Sequence, residues 1–322
     1  MKTLTLAISA LSLTLLSSLH AFASDLSEDV IYRGRPVAAD GQAWKSTVSL
    51  AYQLNNGQWH GCSGTWISSD MILTAAHCEV SNRGSLSIEQ WESNDGAKKQ
   101  QLWLEGKEHA FEFHKHPRYI PSSGYDFGAN DIAILVLKET SIPDGFEVAS
   151  VYHSGVKAAG DPGRALFIAG AGRTERGEGR DMIRFAQGVI DGYEGESRMR
   201  VSFPNGQGVC KGDSGGPFFV RSGKELYLAG VLANMMSAPG SHCGQTAYGT
   251  VLTAERYDWA MARYRGVRAK FDKEVEIARK AEEAELEKYR AERAARRKAE
   301  EEARKQAEEE AAKNNPAPAP AS

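Results

Sequence analysis

The sequence has few cysteines, little net charge and only one long apolar run, and each scarcity excludes a class of protein. Four cysteines in 322 residues are too few for a small disulfide-scaffolded fold. A formal net charge of −3 supplies no positive field that would attract nucleic acid or a membrane surface. With 41% hydrophobic residues, 25% charged residues and 32 glycines, the composition is that of a globular chain rather than a disordered or collagen-like one.

The one long apolar run lies at the N terminus and predicts an export signal. Lys2 precedes an apolar stretch from Leu4 to Leu19, and Ala21-Phe22-Ala23 has the small-x-small pattern of a signal peptidase site. The alternative is a membrane anchor, but Ser and Thr interrupt the stretch and it falls short of the roughly 20 residues of a membrane span. We expect residues 1–23 to be a signal peptide and the mature protein to be secreted or periplasmic, where its cysteines can oxidise.

Charge is distributed unevenly, which divides the mature chain into a body and a tail. Residues 266–313 carry 14 basic and 14 acidic residues. Five Glu-to-Lys or Glu-to-Arg pairs lie four residues apart in the favourable helical orientation. They are Glu276–Lys280, Glu292–Arg296, Glu300–Arg304, Glu301–Lys305 and Glu309–Lys313. This pattern predicts a helix about 72 Å long. Residues 314–322 form a Pro/Ala-rich terminus.

The apolar positions of the tail do not form a sustained coiled-coil seam. They form a partial stripe that fades after Tyr289. A solvated single helix that acts as a spacer is the preferred interpretation, and weak coiled-coil pairing or docking on a protein partner are the alternatives.

The body lacks any sustained helical periodicity between residues 44 and 255. Its periodic segments are short, rich in β-branched and aromatic residues, and separated by Gly, Pro, Asn and Ser. Typical examples are Thr47–Tyr52, Ile132–Leu137 and Glu225–Ala233. Many short strands at this spacing predict an all-β sandwich or barrel. About 210 residues are enough for two compact barrels with a cleft between them.

Three segments of the body carry side chains suited to nucleophilic catalysis. They are Leu73-Thr74-Ala75-Ala76-His77-Cys78, which follows Gly61-Cys62-Ser63-Gly64, then Asn130-Asp131-Ile132-Ala133, and Cys210-Lys211-Gly212-Asp213-Ser214-Gly215-Gly216-Pro217. A serine hydroxyl is a poor nucleophile at neutral pH, so it needs a base within hydrogen-bond reach and a third group that orients that base. His77, Asp131 and Ser214 are the candidates for these roles.

On these motifs, residues 31–265 resemble the trypsin and chymotrypsin family of serine endopeptidases. The resemblance implies two antiparallel six-stranded β-barrels with a catalytic cleft between them. It also implies that Ser214 attacks the scissile carbonyl, that His77 transfers the proton, and that Asp131 orients the imidazole. The backbone N–H groups of Gly212 and Ser214 would form the oxyanion hole, whose donors contribute about 3 to 4 kcal/mol.

Several alternatives compete at individual motifs. Asp126 competes with Asp131, but the strand pattern after Asp131 favours the latter. Gly212-x-Ser214-x-Gly216 also fits the nucleophile elbow of α/β hydrolases, in which the catalytic His follows the Ser. Only His242 follows here, beside a cysteine and without a strand and helix framework.

The cysteines allow three pairings, and the resemblance implies two particular disulfides. These are Cys62 with Cys78 and Cys210 with Cys243. A metal site is the rival interpretation, but the sequence has no Cys-x-x-Cys motif. The His114-x-His116-Pro117 segment is interpreted as structural, and we predict no metal and no cofactor.

The resemblance also implies activation by cleavage. In the family a new N-terminal ammonium pairs with the Asp before the nucleophile, here Asp213, and orders the oxyanion loop. We expect Ile31 to be that N terminus, preceded by a short propeptide over residues 24–30. The pattern departs from the family because Tyr32 and Arg33 follow Ile31 and no Lys or Arg precedes it.

The pocket residues predict a preference for uncharged, small to medium apolar residues before the cleaved bond. Gly208 stands where relatives that cut after Lys or Arg have Asp, and Val209, Ala233 and Met235 occupy adjoining positions. A pocket without a carboxylate cannot compensate a desolvated cation. Ala171 replaces a Trp of the family, and its effect on substrate binding is open.

These features predict an exported serine endopeptidase that acts on proteins or peptides and carries a helical extension. Two other classes of protein remain as alternatives. One is a protease-like binding protein without catalysis, and the other is a structural or interaction protein that acts through the C-terminal helix.

Overall fold

A computed structural model describes most of the body and nearly all of the C-terminal helix. The described residues are 35–36, 45–54, 56–91, 99–104, 110–121, 129–139, 142, 146–151, 161–174, 182–195, 198–238 and 240–314. The predicted signal peptide and propeptide, Ile31 and Asp126 lie outside them. The chain divides into two compact units, residues 1–264 and 265–322, which are described separately.

The first half of the body forms an open antiparallel sheet of seven strands. The strands are β2 (Thr47–Gln53), β3 (Trp59–Ser68), β4 (Met71–Thr74), β5 (Leu86–Trp91), β6 (Lys99–Leu104), β7 (Phe111–Lys115) and β8 (Ala133–Leu137). Their order is β6-β5-β2-β3-β4-β8-β7. Every residue of β4 and β8 is buried, which explains why these strands are nearly continuous apolar runs.

The second half forms a closed antiparallel barrel of six strands. These are β9 (Ala165–Gly170), β10 (Arg184–Glu194), β11 (Arg198–Ser202), β13 (Pro217–Ser222), β14 (Glu225–Met236) and β16 (Thr246–Val251). The order β10-β11-β16-β14-β13-β9 closes through pairing of β10 with β9, and β1 (Arg35–Pro36) adds to β10. Side chains of β10 alternate between buried and less buried positions from Arg184 to Ile190, as expected for a strand with one face towards a core.

The architecture confirms the mostly β prediction and corrects one part of it. Two closed six-stranded barrels were expected, whereas only the second sheet closes among the described residues. In the first sheet the edge strands β6 and β7 pair on one side only within that part of the chain. Strand patterns indicate which residues are extended but do not specify which edges meet, so the sequence could not predict this difference.

The C-terminal helix α1 (Ala254–Asn314) begins twelve residues before the predicted start of the charged tail. Thr253 accounts for the earlier start because its hydroxyl accepts a hydrogen bond from the Arg256 N–H (3.3 Å), which is the geometry of a helix N-cap. Tyr257 N–H then donates to the Thr253 carbonyl (2.9 Å). The predicted helix is therefore present, but its first turns belong to the body.

The second unit consists of the charged part of α1. From residue 277 to residue 311 every residue is exposed. Of the predicted pairs, Glu276–Lys280 (3.2 Å) and Glu301–Lys305 (2.9 Å) form salt bridges. Arg296 contacts Glu300 instead of Glu292 (3.0 Å). No helix of the described residues is long and apolar enough to cross a membrane.

Candidate active site

His77 and Asp131 are joined by two hydrogen bonds. His77 lies in a 3₁₀ helix, Ala76–Cys78, directly after β4, and Asp131 directly precedes β8. His77 Nδ1 lies 2.6 Å from Asp131 Oδ2, and the His77 backbone N–H donates to Asp131 Oδ1 (2.9 Å). The Asp131 side chain is 10% exposed and that of His77 is 35% exposed. The carboxylate therefore orients both the ring and the backbone of His77 and leaves the ring partly open to solvent.

Asp131 sits in a tight turn that depends on its neighbour. Asn130 has a left-handed backbone (φ 51°), and the Ile132 N–H donates to the Asn130 carbonyl across Asp131 (2.8 Å). Buried Arg256 of α1 donates to Asn130 Oδ1 through Nη2 (2.8 Å) and Nε (3.1 Å). Asn130 Nδ2 donates to the Arg118 carbonyl (3.0 Å). Helix α1 thus holds the turn that presents Asp131.

Ser63 of β3 connects the segment around Ser214 to the open sheet. Its backbone N–H donates to the Ser214 carbonyl (2.7 Å), and its hydroxyl donates to the Gly212 carbonyl (2.9 Å). The same hydroxyl accepts the Ala171 N–H (3.0 Å). Ser63 is fully buried. Its contacts bring residues of both sheets together at one point.

Ser214 lies close to the turn that carries His77. Gly215, with φ 83°, packs so tightly that an added Cβ would overlap Thr74 Oγ1 and the Ser63 carbonyl, and it would lie 3.1 Å from Ala75 N. The Gly215 N–H donates to the Leu232 carbonyl (2.8 Å). Only a glycine fits this position, because both the space and the backbone conformation exclude a side chain.

Asp213 is a buried carboxylate held by backbone donors. Gly172 N–H donates to its Oδ1 and Cys210 N–H to its Oδ2, each at 2.7 Å. A Cβ at Gly170 or Gly172 would collide with this carboxylate, so the glycines of the Gly170-Ala171-Gly172 segment provide the space for it. Ile31, its predicted ionic partner, lies outside the described residues.

The structure contains the two disulfides that the resemblance implies, Cys62–Cys78 and Cys210–Cys243. Cys62 is adjacent to Ser63, and Cys78 follows His77, so the first bridge joins the two segments. The potential ligand atoms of Cys62, His77 and Cys78 cluster within 4.8 Å of one another. Because both sulfurs are in the disulfide, this cluster lacks the thiolates that a metal would bind.

The predicted pocket residues lie along β12 (Val209–Cys210) and β14. Strand β12 pairs with β15 (Cys243–Gly244). Val209 belongs to the buried core of the closed barrel, and half-buried Met235 packs against that core. Ala233 is buried in β14.

The base of this region is filled by backbone. A Cβ at Gly208 would overlap the Gly244 carbonyl oxygen, and a Cβ at Gly244 would overlap the carbonyl oxygen of Met236. Gly208, the predicted base of the pocket, therefore has no room for a side chain.

Two titratable groups near Asp131 have shifted pKa values. Burial, followed by the charges of Asp131 and Glu79, raises the pKa of Tyr119 to about 12. Burial and then the cations Arg256 and Arg118 lower the pKa of His116. Its Nδ1 accepts the Arg118 N–H (3.3 Å), and its ring packs edge-on against Trp259 of α1 (centroids 4.7 Å). His116 is thus a buried structural histidine, as its motif suggested.

Sequence reasoning missed Ser63, Asn130 and Arg256. Ser63 and Asn130 stand inside the motifs that were identified, but their partners are distant in sequence. The bond from Ser63 to Gly212 spans 149 residues, and that from Arg256 to Asn130 spans 126. The capping residue Thr253, three residues earlier, could have indicated the helix start that carries Arg256, but not the contact of Arg256 with Asn130.

Comparisons with known proteins agree with this geometry. A family model described as Trypsin matches residues 31–259. Chymotrypsin-like elastase family member 1 of Bos taurus is 26% identical over 217 residues, covering 62% of this chain and 77% of the relative. Venom serine protease Bi-VSP of Bombus ignitus is 26% identical over 262 residues, covering 73% and 68%. The solved structure of GrC superposes with a TM-score of 0.55 at 19% identity, covering 72% of this chain and 98% of GrC.

The chain therefore belongs to the trypsin family. Its relatives include serine proteases, and the structural likeness independently supports the fold.

Proposed function

We propose that this protein is an exported serine endopeptidase with Ser214 as nucleophile, His77 as general base and Asp131 as the group that orients the base. The observation that carries the proposal is the short contact between His77 Nδ1 and Asp131 Oδ2 (2.6 Å) beside a serine segment that packs on the same turn. An Nδ1–H bound to a carboxylate leaves Nε2 unprotonated and able to accept the serine proton.

The reaction follows from these groups. Ser214 Oγ attacks the carbonyl carbon of a peptide bond while His77 takes the hydroxyl proton. The negative oxygen of the tetrahedral intermediate receives hydrogen bonds from the N–H groups of Gly212 and Ser214. His77 then protonates the leaving amine. In the second half of the reaction His77 takes a proton from a water molecule that attacks the acyl carbon, and it then returns the proton to Ser214 Oγ as the acyl group is released.

The pocket supports a preference for small, uncharged residues before the cleaved bond. The backbone of Gly244 lies against Gly208 and Met236, so the position of Gly208 offers neither a carboxylate nor the space for one. Peptide-library cleavage tests this preference, and strong cleavage after Lys or Arg contradicts it. A Gly208→Asp variant should not acquire Arg cleavage, because its side chain would overlap Gly244.

We also propose that residues 1–23 direct export, that removal of residues 24–30 exposes Ile31, and that its ammonium pairs with Asp213. The family's activation chemistry and the buried Asp213 carboxylate support this step. N-terminal sequencing of the active protein tests it, and full activity with Ser24 as the first residue contradicts it. The same proposal places the protease domain at residues 31–265 and the helical extension at residues 266–313. The extension would act as a spacer or bind a protein partner.

A fluorophosphonate that labels activated serines separates the enzyme from a protease-like binding protein without catalysis. The purified mature protein should be labelled and should hydrolyse a peptide substrate. Ser214→Ala should lose both, and His77→Ala should lose at least about 10³-fold in rate. A correctly folded wild-type protein that takes up no label contradicts the proposed activity.

A further inference from the structure

Ser63 donates two hydrogen bonds to the serine segment, residues 212–214, although it has none of the catalytic roles assigned above. Each of three consecutive residues, Gly212 to Ser214, has at least one acceptor group that is held by a hydrogen bond. The Gly212 carbonyl accepts the Ser63 hydroxyl, the Asp213 carboxylate accepts Gly172 and Cys210 N–H groups, and the Ser214 carbonyl accepts the Ser63 N–H. Ser63 supplies the donor for two of these three residues, Gly212 and Ser214.

The hydroxyl of Ser63 is a bridge between three separate parts of the fold. It lies on β3 of the open sheet, accepts from Ala171 just after β9 of the closed barrel, and donates to Gly212 in the segment after β12. Ser63 and Ala171 are both fully buried, so no bulk water is available to replace the bond between them, whereas Gly212 is half-buried. The hydroxyl thereby fixes the relative position of the two sheets at the proposed oxyanion hole.

Among the three residues from Gly212 to Ser214, Gly212 has the backbone with the widest range of allowed conformations. It has no side chain, and its φ of 100° lies in a region that glycine adopts readily. The direction of its carbonyl depends on rotation of the peptide between Gly212 and Asp213. Since the N–H groups of Gly212 and Ser214 flank that peptide, an anchor on the Gly212 carbonyl limits the directions in which both N–H groups can point.

We propose that Ser63 is a positioning residue for catalysis: its hydroxyl, bridging the Ala171 N–H and the Gly212 carbonyl, holds the Gly212–Ser214 segment in the conformation that binds the oxyanion. The inference rests on the proposed peptidase function. It predicts that the hydroxyl contributes when negative charge develops on the substrate oxygen and contributes little when the unreacted substrate binds.

The principal variant is Ser63→Ala, which removes the hydroxyl and leaves the backbone anchor to Ser214 in place. We expect kcat to fall about 10-fold while KM changes less than about 2-fold. A peptide aldehyde, whose adduct with serine carries an oxyanion, should lose about the same factor in affinity. The matching peptide amide, which forms no adduct, should bind as well as before.

Ser49 provides a matched control. It is a fully buried serine directly opposite Ser63 in the β2–β3 pairing, and its hydroxyl has no hydrogen-bond partner among the described residues. Ser49→Ala removes the same atom from the neighbouring strand, so kcat and aldehyde affinity should stay at the wild-type values. Amide hydrogen exchange at Ala171 should accelerate in Ser63→Ala and not in Ser49→Ala.

The outcomes separate this inference from the proposed function. If the wild type is active and Ser63→Ala retains its kcat and aldehyde affinity, the positioning role is wrong. An equal loss in Ser49→Ala, or a loss confined to KM, also overturns it. A folded wild type that takes up no fluorophosphonate contradicts the peptidase function and its positioning role together, whereas unchanged exchange at Ala171 in Ser63→Ala contradicts the bridge alone.

Discussion

The first eleven residues of α1 and its exposed part, residues 277–311, are stabilised by different physical means. Residues 254–264 begin with a Thr253 cap and use buried or half-buried side chains, including Arg256, Trp259 and Tyr264. Residues 277–311 are exposed throughout and are lined with ion pairs one turn apart. One regular helix can therefore combine tertiary packing, worth several kcal/mol, with surface pairs worth about 0.3 to 0.5 kcal/mol each.

The two parts of α1 also differ in how specific their side-chain contacts are. Two polar side chains of the helix start have specific partners in the body: Arg256 binds Asn130, and the Tyr264 hydroxyl donates to buried Asp70 (2.9 Å). In the charged part, Arg279 contacts both Glu276 (2.9 Å) and Glu283 (2.5 Å), so no single pair is indispensable. Substitutions should therefore be costly in the first part and tolerated in the second.

Truncation should give the largest difference between the two parts. Removing residues 254–322 takes away the helix start, and the body should fail to form a stable fold because Arg256 and Ala260 contribute buried contacts. Removing residues 277–322 takes away a stretch whose residues are all exposed from 277 to 311, and it should leave peptide hydrolysis and the urea midpoint unchanged. A cooperatively folded, active protein ending at Thr253 would contradict this assignment.

Replacing one arginine in each part compares them at a single side chain. Arg256→Leu removes both guanidinium donors from Asn130 Oδ1 and leaves the Val251 carbonyl with only the Thr253 N–H, so we expect a loss of about 3 kcal/mol in the free energy of unfolding. The Arg296 side chain is 83% exposed and pairs with Glu300, so Arg296→Leu should change the free energy of unfolding by less than about 0.5 kcal/mol. Urea unfolding of both variants measures the difference, and equal losses would remove the distinction.

His116 links the helix start to pH. Its pKa is lowered in the folded protein by burial, Arg256 and Arg118, and only partly raised by Glu255. The unfolded state then binds more protons as the pH falls below the ordinary histidine value of about 6.5, and the stability from the neutral ring is lost. Protonation also removes the Nδ1 acceptor that Arg118 N–H uses.

We therefore expect the melting temperature of the wild type to fall more between pH 7.5 and 5.5 than that of a His116→Gln variant. The variant lacks the titrating ring, so its own curve should be flatter in this interval. Thermal unfolding at a series of pH values measures both, and parallel curves would show that His116 does not contribute.

The smallest effect belongs to the ion pairs of the charged part. Hydrogen bonds from Arg279 and Lys280 lower the pKa of Glu276. The stabilisation is present above the carboxylate's unfolded value and is lost as the pH falls through the lowered one. Circular dichroism of the full chain should show a slight decrease in helix content on acidification, and less of one in Glu276→Gln. Salt at 1 M should reduce the difference by screening.

The sequence was sufficient to predict the features that depend on local motifs. His77, Asp131 and Ser214 lie in short segments whose residue types suit the chemistry, and the glycines around Ser214 indicated a tight turn. The charged tail was recognisable as a helix because its pairs repeat at four-residue spacing. Neighbours in the sequence supply the evidence in all of these cases.

Features that depend on contacts between distant segments were not predictable. The role of Gly172 requires the position of Asp213, and the role of Ser63 requires that of Gly212. The start of α1 was placed too late because charge density was used as the signal. Thr253 is a capping residue that could have revealed it. Whether a sheet closes depends on which edge strands pair with each other, and the hydrophobic pattern does not specify that pairing.

The Cys62–Cys78 disulfide has a consequence for the order of events in the life of this protein. Cys62 precedes Ser63 and Cys78 follows His77, so one covalent bond connects the strand that carries Ser63 to the 3₁₀ helix that carries the proposed base. In a reducing cytosol these cysteines remain thiols, and the bond forms only after the chain reaches an oxidising compartment. Under the proposed export route, the Cys62–Cys78 bond beside the proposed active site therefore forms only after the new chain has been separated from the proteins of the cytosol.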